Sequence, residues 1–348
     1  MAYYSPSNWS KSNYLWFTYG PSTDNEKVIE KALLEGANGC RLTFSYGTRE
    51  LHLNRAETIR QIANKLGRRC MIIADLAGEK IRLTNFQPQN VIIKANDAVV
   101  FVAPEQPFNL KQRVFSVTSH ELFSQAKVGD SIVLGDGTLV VTVLEADEKR
   151  LYGIALQDGE INPNRGLIVK GKFNSHGLTQ KDVQDLNFIA SKAVFDAVAL
   201  SFVSENEQIR AARRILHNNN CSLPIVAKIE TQDGIANLLT ITDEADILMA
   251  ARGDLALTMD WIDLPEAVET ISGVARAKHK PWILATQIVE GLDEYVLPYR
   301  SEICDLAHWL GKGAGVMLAH ETAYGKNPIR AIEAVAKMMA RYAAPSPS

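Results

Sequence analysis

Lys228 and Glu230 stand two residues apart in an otherwise apolar stretch, Pro224-Ile-Val-Ala-Lys-Ile-Glu. The apolar run predicts a buried β-strand, and its period of two places both charged side chains on one face. Another carboxylate, Asp254, ends the next apolar run. Carboxylate oxygens are the ligands that hard cations such as Mg²⁺ or Mn²⁺ prefer. We therefore expect Glu230 and Asp254 to bind a divalent metal, and Lys228 to face a phosphoryl group or an enolate.

Eight short apolar runs are the elements that must position these residues. They are apolar on both faces rather than alternating, which is typical of parallel strands covered by helices. The runs cover residues 14–20, 40–44, 69–75, 195–202, 224–230, 245–254, 281–287 and 315–321. Helical patterns lie between them, for example at residues 25–35, 50–66, 205–217, 264–278 and 327–342. Eight βα units in about 250 residues predict the α/β class and a TIM (β/α)8 barrel.

A different pattern follows the third run, from about residue 84 to residue 172. It consists of β-rich stretches separated by Asn-Asp, Gly-Asp-Gly and Asp-Gly turns. We expect residues 84–172 to form a small β-barrel domain inserted after strand 3, and residues 1–83 and 173–348 to form the barrel catalytic domain. Because active-site loops leave a TIM barrel at the C-terminal strand ends, the insert is expected to act as a lid. A merely decorative insertion is the alternative.

Polar residues at the C-terminal ends of the other predicted strands point to the same end of the barrel. Functional residues of TIM barrels sit at these ends. The candidates are Arg41 and Ser45 (strand two), Asp75, Lys80 and Arg82 (strand three), Arg252 and Asp254 (strand six), Thr286 (strand seven) and Glu321 (strand eight). For Lys228 and Glu230 alone, a structural ion pair that closes a barrel layer is the alternative. The further polar residues at equivalent heights favour the functional interpretation.

Composition excludes several classes of function. The formal net charge of −3 provides no basic field for nucleic acid or for an anionic membrane. The four cysteines have no paired spacing, which indicates a reducing compartment without disulfides or a zinc site. The polar N-terminal stretch predicts neither a signal peptide nor a transmembrane span. We therefore expect a cytoplasmic protein.

Several stretches at the predicted strand ends, spread over about residues 14–343, together resemble pyruvate kinase. They are TYGPST (18–23), CRLTFSYG (40–47), LTQKDVQDLNF (178–188), VAKIE (226–230), ARGDLAL (251–257), ATQIVEGL (285–292) and ETAYG (321–325). The motifs of strands five and six, in this order and at this spacing, are the most specific. The resemblance implies a barrel with a β lid inserted after strand three, which agrees with the pattern above.

The resemblance also implies roles for residues of the reacting centre. Lys228 is similar to the family's catalytic lysine, which faces the transferred phosphoryl group. Glu230 and Asp254 are similar to its divalent-metal ligands. Arg41 and Arg82 resemble the arginines that steady the phosphates.

Further implied roles concern substrate binding and the lid. The backbone of Arg252 and Gly253 would bind the substrate carboxylate at a helix N-terminus. Thr286 would bind the same carboxylate and line the proton path. Asp136, in Leu-Gly-Asp-Gly, matches an aspartate of the lid.

Strand three departs from the family pattern D-T-K-G-P-E-I-R, because the chain has Asp75-Leu-Ala-Gly-Glu-Lys-Ile-Arg82. Leu76 replaces the threonine that helps bind a monovalent cation, and Thr43 replaces the asparagine of A-R-L-N-F-S. Lys80 stands at the position where potassium-independent members carry lysine. We expect its ammonium group to substitute for the monovalent cation near Asp75 and Ser45, so that K⁺ is not required.

Strand eight departs as well, with Met-Leu-Ala-His-Glu-Thr-Ala in place of M-L-S-G-E-T-A. Ala319 replaces the serine thought to relay a proton, so the proton route or the acceptor is expected to differ. His320 and Glu321 are candidate acid/base residues, and a solvent-facing structural histidine is the alternative for His320. The family's C-terminal regulatory domain is expected to be absent, which puts the usual tetramer in doubt and leaves a homo-oligomer open.

The leading functional prediction is a phosphotransferase of the pyruvate kinase type. It would move a phosphoryl group between ATP or ADP and the enol of a 2-oxo acid, with Mg²⁺ or Mn²⁺, in a specialised pathway. Its expected partners are a nucleotide and a 2-oxo acid or its enol phosphate, with neither nucleic acid nor membrane. Two alternatives stay open, a Mg-dependent enolate lyase or aldolase and a non-catalytic relative that acts as a binding module.

Overall fold

The computed structural model describes residues 14–135, 137–172 and 177–344, and its strands fall into three consecutive groups. The first group is β1 (Leu15–Thr18), β2 (Gly39–Thr43) and β3 (Met71–Asp75). The second group is β4 (Val91–Ile93), β5 (Ala98–Val102), β6 (Val114–Ser116), β7 (Ser131–Leu134), β8 (Leu139–Ala146), β9 (Arg150–Ala155), β10 (Gly159–Ile161) and β11 (Leu167–Val169). The third group is β12 (Ala197–Leu200), β13 (Ile225–Ile229), β14 (Ile247–Ala251), β15 (Trp282–Ala285) and β16 (Ala314–Leu318).

The first and third groups of strands form one closed parallel barrel. Its strand order is β1-β16-β15-β14-β13-β12-β3-β2. Each of the eight apolar runs found in the sequence overlaps one of these strands, and no strand extends more than one residue beyond its run. The predicted α/β class and TIM-type barrel are therefore confirmed.

Helices separate the barrel strands, and the five predicted helical segments are present. The helices are α1 (Glu26–Leu34), α2 (Arg49–Lys65), α3 (Glu121–Gln125, in the insert), α4 (Gln180–Ala190), α5 (Asn206–Asn218), α6 (Gln232–Ala236), α7 (Leu238–Glu244), α8 (Arg252–Thr258), α9 (Leu264–Ala277), α10 (Arg300–Leu310), α11 (His320–Ala323) and α12 (Pro328–Tyr342). Side-chain hydrogen bonds cap the N-termini of several helices. Thr48 accepts a hydrogen bond from the Leu51 amide before α2, and Thr179 and Asp182 form a capping box before α4.

The described residues divide into two compact units. The barrel unit contains the residues up to Gly78, residues 177–253 and the residues from Pro265 onward. The insert unit contains residues 79–172 together with Asp254–Leu264. The domain boundaries predicted at 83/84 and 172/173 stay a prediction.

The insert unit holds the second group of strands, so the expected β-rich insertion after β3 is present. Six strands form one curled sheet in the order β11-β7-β8-β9-β5-β6, and β10 pairs with β4. This sheet encloses a hydrophobic core of its own, with Phe101 and Phe115 fully buried. Among the described residues of the whole chain, no helix combines the length and apolar character that a membrane crossing requires.

Apolar side chains from the barrel strands fill the interior of the barrel, and one glycine makes room for the largest of them. The interior cluster is Trp16, Met71, Ile73, Ala197, Ala199, Val226, Ile247, Met249, Ala251, Ile283, Ala285 and Met317. Trp16 is fully buried, and a Cβ added at Gly39 on the neighbouring strand would lie 2.2 Å from its ring. Position 39 therefore needs glycine for packing reasons.

We predict that Gly39→Ala lowers the free energy of unfolding by about 1–3 kcal/mol, because the added methyl overpacks the barrel interior. Chemical denaturation with a two-probe test of cooperativity measures this change. Gly315→Ala in β16 is the matched control, since its added Cβ would meet ordinary contacts at 3.4 Å and should change stability by less than about 0.5 kcal/mol. Equal stabilities of the two variants would contradict this packing account.

Candidate active site

Four charged side chains of alternating sign, three of them buried, form a chain at the C-terminal ends of β2, β3 and β13. The Lys228 Nζ lies 3.1 Å from Asp75 Oδ1 and 3.2 Å from Glu230 Oε1. The Arg41 Nη1 lies 3.3 Å from the other oxygen of Asp75. Lys228 is 8% exposed, and both carboxylate residues are 2% exposed. We call Arg41, Asp75, Lys228 and Glu230 the charge chain.

Strand periodicity explains why these charges face inward. Val226 and Ile73 belong to the interior cluster of the barrel. Lys228 and Asp75 lie two residues further along the same strands, so their side chains continue the interior face toward the strand ends. The direct contact with Lys228 shows that Glu230 lies on this face too. The sequence-based placement of Lys228 and Glu230 on one face agrees with this geometry.

Neighbouring backbone and hydroxyl groups orient the charge chain. Lys228 donates a hydrogen bond to Ser201 Oγ at 2.7 Å, and that hydroxyl donates to the Leu76 carbonyl at 2.8 Å. Glu230 Oε2 accepts a hydrogen bond from the Phe202 amide at 2.7 Å. Ser201 follows β12 and was not among the sequence candidates. Its signal was the one used for the other strands, a polar residue at the C-terminal end of an apolar run.

Arg41 is held from the other side. Its Nε donates to Thr18 Oγ1 at 2.9 Å, and Thr18 in turn donates to the Leu318 carbonyl at 2.8 Å. The Arg41 guanidinium therefore meets Asp75 from a fixed direction. A guanidinium has five N–H donors, so Arg41 has enough of them to donate to a phosphate as well. Ser45 lies half-buried just after Phe44.

Asp254 and Lys80 form a close ion pair within the insert unit. The Lys80 Nζ lies 2.5 Å from Asp254 Oδ1. Lys80 packs so tightly on Gly166 that an added Cβ there would lie 2.5 Å from the lysine Cε. The role predicted for Lys80 beside Asp75 and Ser45 stays a prediction, because those two residues belong to the barrel unit.

The predicted metal ligands fit a hard cation by the chemistry of their donors. Within the described residues, no group of three or more His, Cys, Asp or Glu side chains is arranged to hold a metal. Mg²⁺ is commonly held by only one or two carboxylates together with water and substrate phosphates. Glu230 and Asp254 supply carboxylate oxygens of this kind. In this structure Glu230 contacts the ammonium group of Lys228, and Asp254 contacts that of Lys80.

The structure corrects the element assignment of the strand-six candidates. Arg252 and Asp254 were expected at the end of a strand, but β14 ends at Ala251 and both residues lie in the first turn of α8. The Arg252 side chain points to the loop after β15, where its Nη2 donates to the carbonyls of Thr286 at 2.8 Å and of Gln287 at 2.9 Å.

Gly253 and Thr286 are in close contact. A Cβ added at Gly253 would lie 3.0 Å from Thr286 Cγ2 and 3.4 Å from its Oγ1. Thr286 has a φ of 75°, an unusual value for a β-branched residue. The structure thus brings together Arg252, Gly253 and Thr286, the three residues predicted to bind the substrate carboxylate.

Glu321 is also on a helix rather than at a strand end, because β16 ends at Leu318 and α11 begins at His320. Glu321 is 1% exposed, and its oxygens accept hydrogen bonds from three backbone amides. This arrangement favours a structural task over proton transfer. His320 is different, since its side chain is 54% exposed and its Nε2 lies 3.4 Å from Asp293 Oδ2.

Arg82 lies in the insert unit, where its backbone amide donates to Thr118 Oγ1 at 3.0 Å and its Nη1 donates to the Asn164 carbonyl at 3.3 Å. Its predicted phosphate contact stays a prediction. The predicted lid residue Asp136 lies outside the described residues.

One tyrosine near Arg41 has a shifted pKa. Partial desolvation and the neighbouring Tyr46 phenol raise the pKa of Tyr324, and the Arg41 guanidinium opposes this change. The shift keeps Tyr324 protonated, and therefore a hydrogen-bond donor, beyond the usual titration range of tyrosine.

The family model described as "Pyruvate kinase, barrel domain" matches residues 11–332. This chain belongs to the pyruvate kinase family. It is 31% identical over 323 residues to the pyruvate kinase of Thermococcus litoralis, covering 92% of this chain and 67% of that protein. It is similarly 31% identical to the pyruvate kinases of Haemophilus influenzae, over 92% of this chain and 68% of that protein, and of Staphylococcus aureus, over 91% and 54%.

We predict that Gly253→Ala in this pyruvate kinase family member lowers kcat about tenfold, because the added methyl displaces the Thr286 side chain from its position. Steady-state kinetics of phosphoryl transfer measure the effect. Gly273→Ala, in the middle of α9, is the control because no heavy atom lies within 4 Å of its added Cβ. The control should keep its activity and gain up to about 1 kcal/mol of stability. Unchanged kinetics in Gly253→Ala would contradict a role of this contact in placing Thr286.

Proposed function

We propose that the chain transfers a phosphoryl group between ATP or ADP and the enol of a 2-oxo acid. The acid is pyruvate, with phosphoenolpyruvate as its enol phosphate, or an analogue used in a specialised pathway. The observation that carries the proposal is the charge chain, in which a buried lysine ammonium lies between two carboxylates at the C-terminal end of the barrel. Family membership supports the same reaction class.

Lys228 and Arg41 act on the phosphoryl group in this proposal. In the forward direction the bond between phosphorus and the enol oxygen breaks, and a bond to the terminal oxygen of ADP forms. Negative charge spreads over the equatorial oxygens during the transfer. The Lys228 ammonium and the Arg41 and Arg82 guanidinium groups offset that charge.

Glu230 and Asp254 would hold Mg²⁺ or Mn²⁺, which would supply further neutralisation of the phosphate charge. One Glu230 oxygen contacts Lys228, and the other accepts a hydrogen bond from the Phe202 amide. Glu230 would thus bind the cation while it also fixes the loop after β12.

The substrate carboxylate binds the backbone of Arg252 and Gly253 and the Thr286 hydroxyl. Thr286 also lines the path by which the enolate carbon receives its proton. Because Ala319 replaces the family serine, that proton takes another route, and His320 is the candidate donor on the same barrel unit. The inserted domain acts as a lid that excludes water, which would otherwise compete as the acceptor.

The non-catalytic alternative has one observation in its favour. The Lys80 ammonium already neutralises Asp254, so a divalent cation must share that carboxylate or displace the lysine. For the enolate lyase or aldolase alternative, the structure offers no feature beyond the metal ligands that both reactions share. The proposed partners are small molecules only, and a cytoplasmic location and a homo-oligomer stay predictions.

We predict that Lys228→Met abolishes phosphoryl transfer, lowering kcat by at least about 10²-fold, because the ammonium facing the phosphoryl group is lost. A coupled assay for ATP formation measures the rate. Asp75 keeps its contact with Arg41, and Glu230 keeps the Phe202 amide, so the far-UV circular dichroism should match that of the unmodified chain.

Lys337→Met is the matched control, because Lys337 lies exposed on α12 and should keep full activity. Full activity of Lys228→Met would remove Lys228 from the mechanism and sink the proposal. Equal losses in both variants would show that the assay reports stability rather than chemistry.

We predict that the chain is active without K⁺, and that Lys80→Ala lowers this K⁺-free rate on the order of tenfold with partial recovery on adding K⁺. The reason is that the ammonium group supplies the positive charge of the monovalent cation. Initial rates with KCl or tetramethylammonium chloride at equal ionic strength measure the effect. Lys94→Ala is the control, since Lys94 makes a surface ion pair with Asp158. A strict K⁺ requirement of the unmodified chain would contradict this role.

A further inference from the structure

The turn after β15 contains two successive non-glycine residues in the left-handed region. Thr286 has a φ of 75° and Gln287 a φ of 54°. Left-handed conformations are unfavourable for residues with a Cβ, and most of all for β-branched ones. Such a turn persists only where its surroundings hold it in place. The groups that hold this turn therefore fix the position of the Thr286 side chain.

Arg252 holds the carbonyl groups of the turn. Its Nη2 donates to the Thr286 and Gln287 carbonyls at 2.8 and 2.9 Å, and its Nε donates to the Thr286 carbonyl at 3.2 Å. Hydrogen bonds from a charged donor are stronger than neutral ones. One guanidinium thus bridges both left-handed residues from α8.

Glu321 holds the amide groups that follow the turn. Its Oε1 accepts hydrogen bonds from Ile288 at 2.8 Å and Val289 at 3.2 Å, and its Oε2 accepts one from Ala319 at 2.9 Å. The carboxylate is buried, so these amides take the place of water. The turn is therefore held on one side by a cation and on the other by an anion, each from a different element.

Asp305 orients the arginine. Its Oδ2 lies 2.6 Å from Arg252 Nη1, and its Oδ1 accepts a hydrogen bond from Trp309 Nε1 at 2.7 Å. Both oxygens of this carboxylate thus face donors. Asp305 lies on α10, where its side chain is 37% exposed, so it can be changed with less damage to the core than Glu321.

We infer that Arg252, Asp305 and Glu321 form a clamp that positions the Thr286 hydroxyl. These three are positioning residues, because they act on the turn and through it on Thr286. The inference rests on the proposed function in one respect, namely that Thr286 contacts the substrate. It assigns to Glu321 a role other than acid/base catalysis, and to the Arg252 side chain a role separate from that of its backbone.

The first arm of the test needs no activity. Hydrogen exchange of the Ile288 and Val289 amides is compared between the unmodified chain and Asp305→Asn. We expect exchange about tenfold faster in the variant, because the asparagine NH₂ must face a donor and the arginine loosens. Asp243→Asn, which removes the charge of a surface ion pair with Lys278, is the control and should leave these amides unchanged. Unchanged exchange in Asp305→Asn would overturn the clamp.

The second arm is a double-mutant cycle on kcat and KM. Asp305→Asn is made with Thr286 present and with Thr286→Ala. If the clamp acts through Thr286, kcat falls about tenfold in the first background and less than about twofold in the second. A general structural loss would lower kcat equally in both backgrounds, and that additive result would overturn the positioning role. Trp309→Phe, which removes the donor to Asp305, should repeat the effect in weaker form.

The two arms separate this inference from the proposed function. If the unmodified chain transfers no phosphoryl group, the proposed function fails, and the exchange of the Ile288 and Val289 amides alone decides whether the clamp exists. If the chain is active and the cycle is additive, the proposed function stands and the positioning role of Asp305 fails.

Discussion

The lysine ammonium held between two carboxylates is the interaction on which the rest of this site depends. A charge buried without a partner costs several kcal/mol (about 3–5 kcal/mol when one member of a buried pair is removed), so Lys228 requires Asp75 and Glu230 at contact distance. The barrel order places β12 between β3 and β13. Ser201, at the end of β12, then bridges the two strands by accepting from Lys228. Closure of the barrel thus brings together the partners that offset the cost of burying Lys228. These partners in turn hold its ammonium group toward the strand ends.

The site residues also hold strained backbone. Phe202, at the end of β12, has a φ of 55°, and the Glu230 carboxylate binds its amide. Arg252 holds the carbonyls of Thr286 and Gln287, and Glu321 holds the amides of the two residues that follow. Strain of about 1–3 kcal/mol per residue persists only where surrounding groups over-determine it. The charged residues at the barrel end therefore have two tasks, to stabilise the loops locally and to present groups for phosphoryl transfer.

The sequence revealed the barrel because each strand is a short apolar run, and the charges of β13 because a period of two is unambiguous there. It did not reveal that Asp254 and Glu321 lie in helices, since α8 and α11 begin within two residues of the strands that precede them. The role of Glu321 could not be identified from the sequence, because hydrogen bonds from backbone amides to a buried carboxylate leave no sequence pattern. Asp305 was missed for a similar reason. Its ion-pair partner Arg252 lies 53 residues away in the sequence and meets it only through tertiary packing.

The most direct test of the central claim is ³¹P NMR of the unmodified chain with Mg²⁺ and without K⁺, once with phosphoenolpyruvate and ADP and once with ATP and a series of 2-oxo acids. The account predicts that the phosphoenolpyruvate signal falls while the ATP signals rise, or that a new enol phosphate signal appears from one of the acids. Spectra that stay unchanged in every combination, with folded protein present, would contradict phosphoryl transfer by this site.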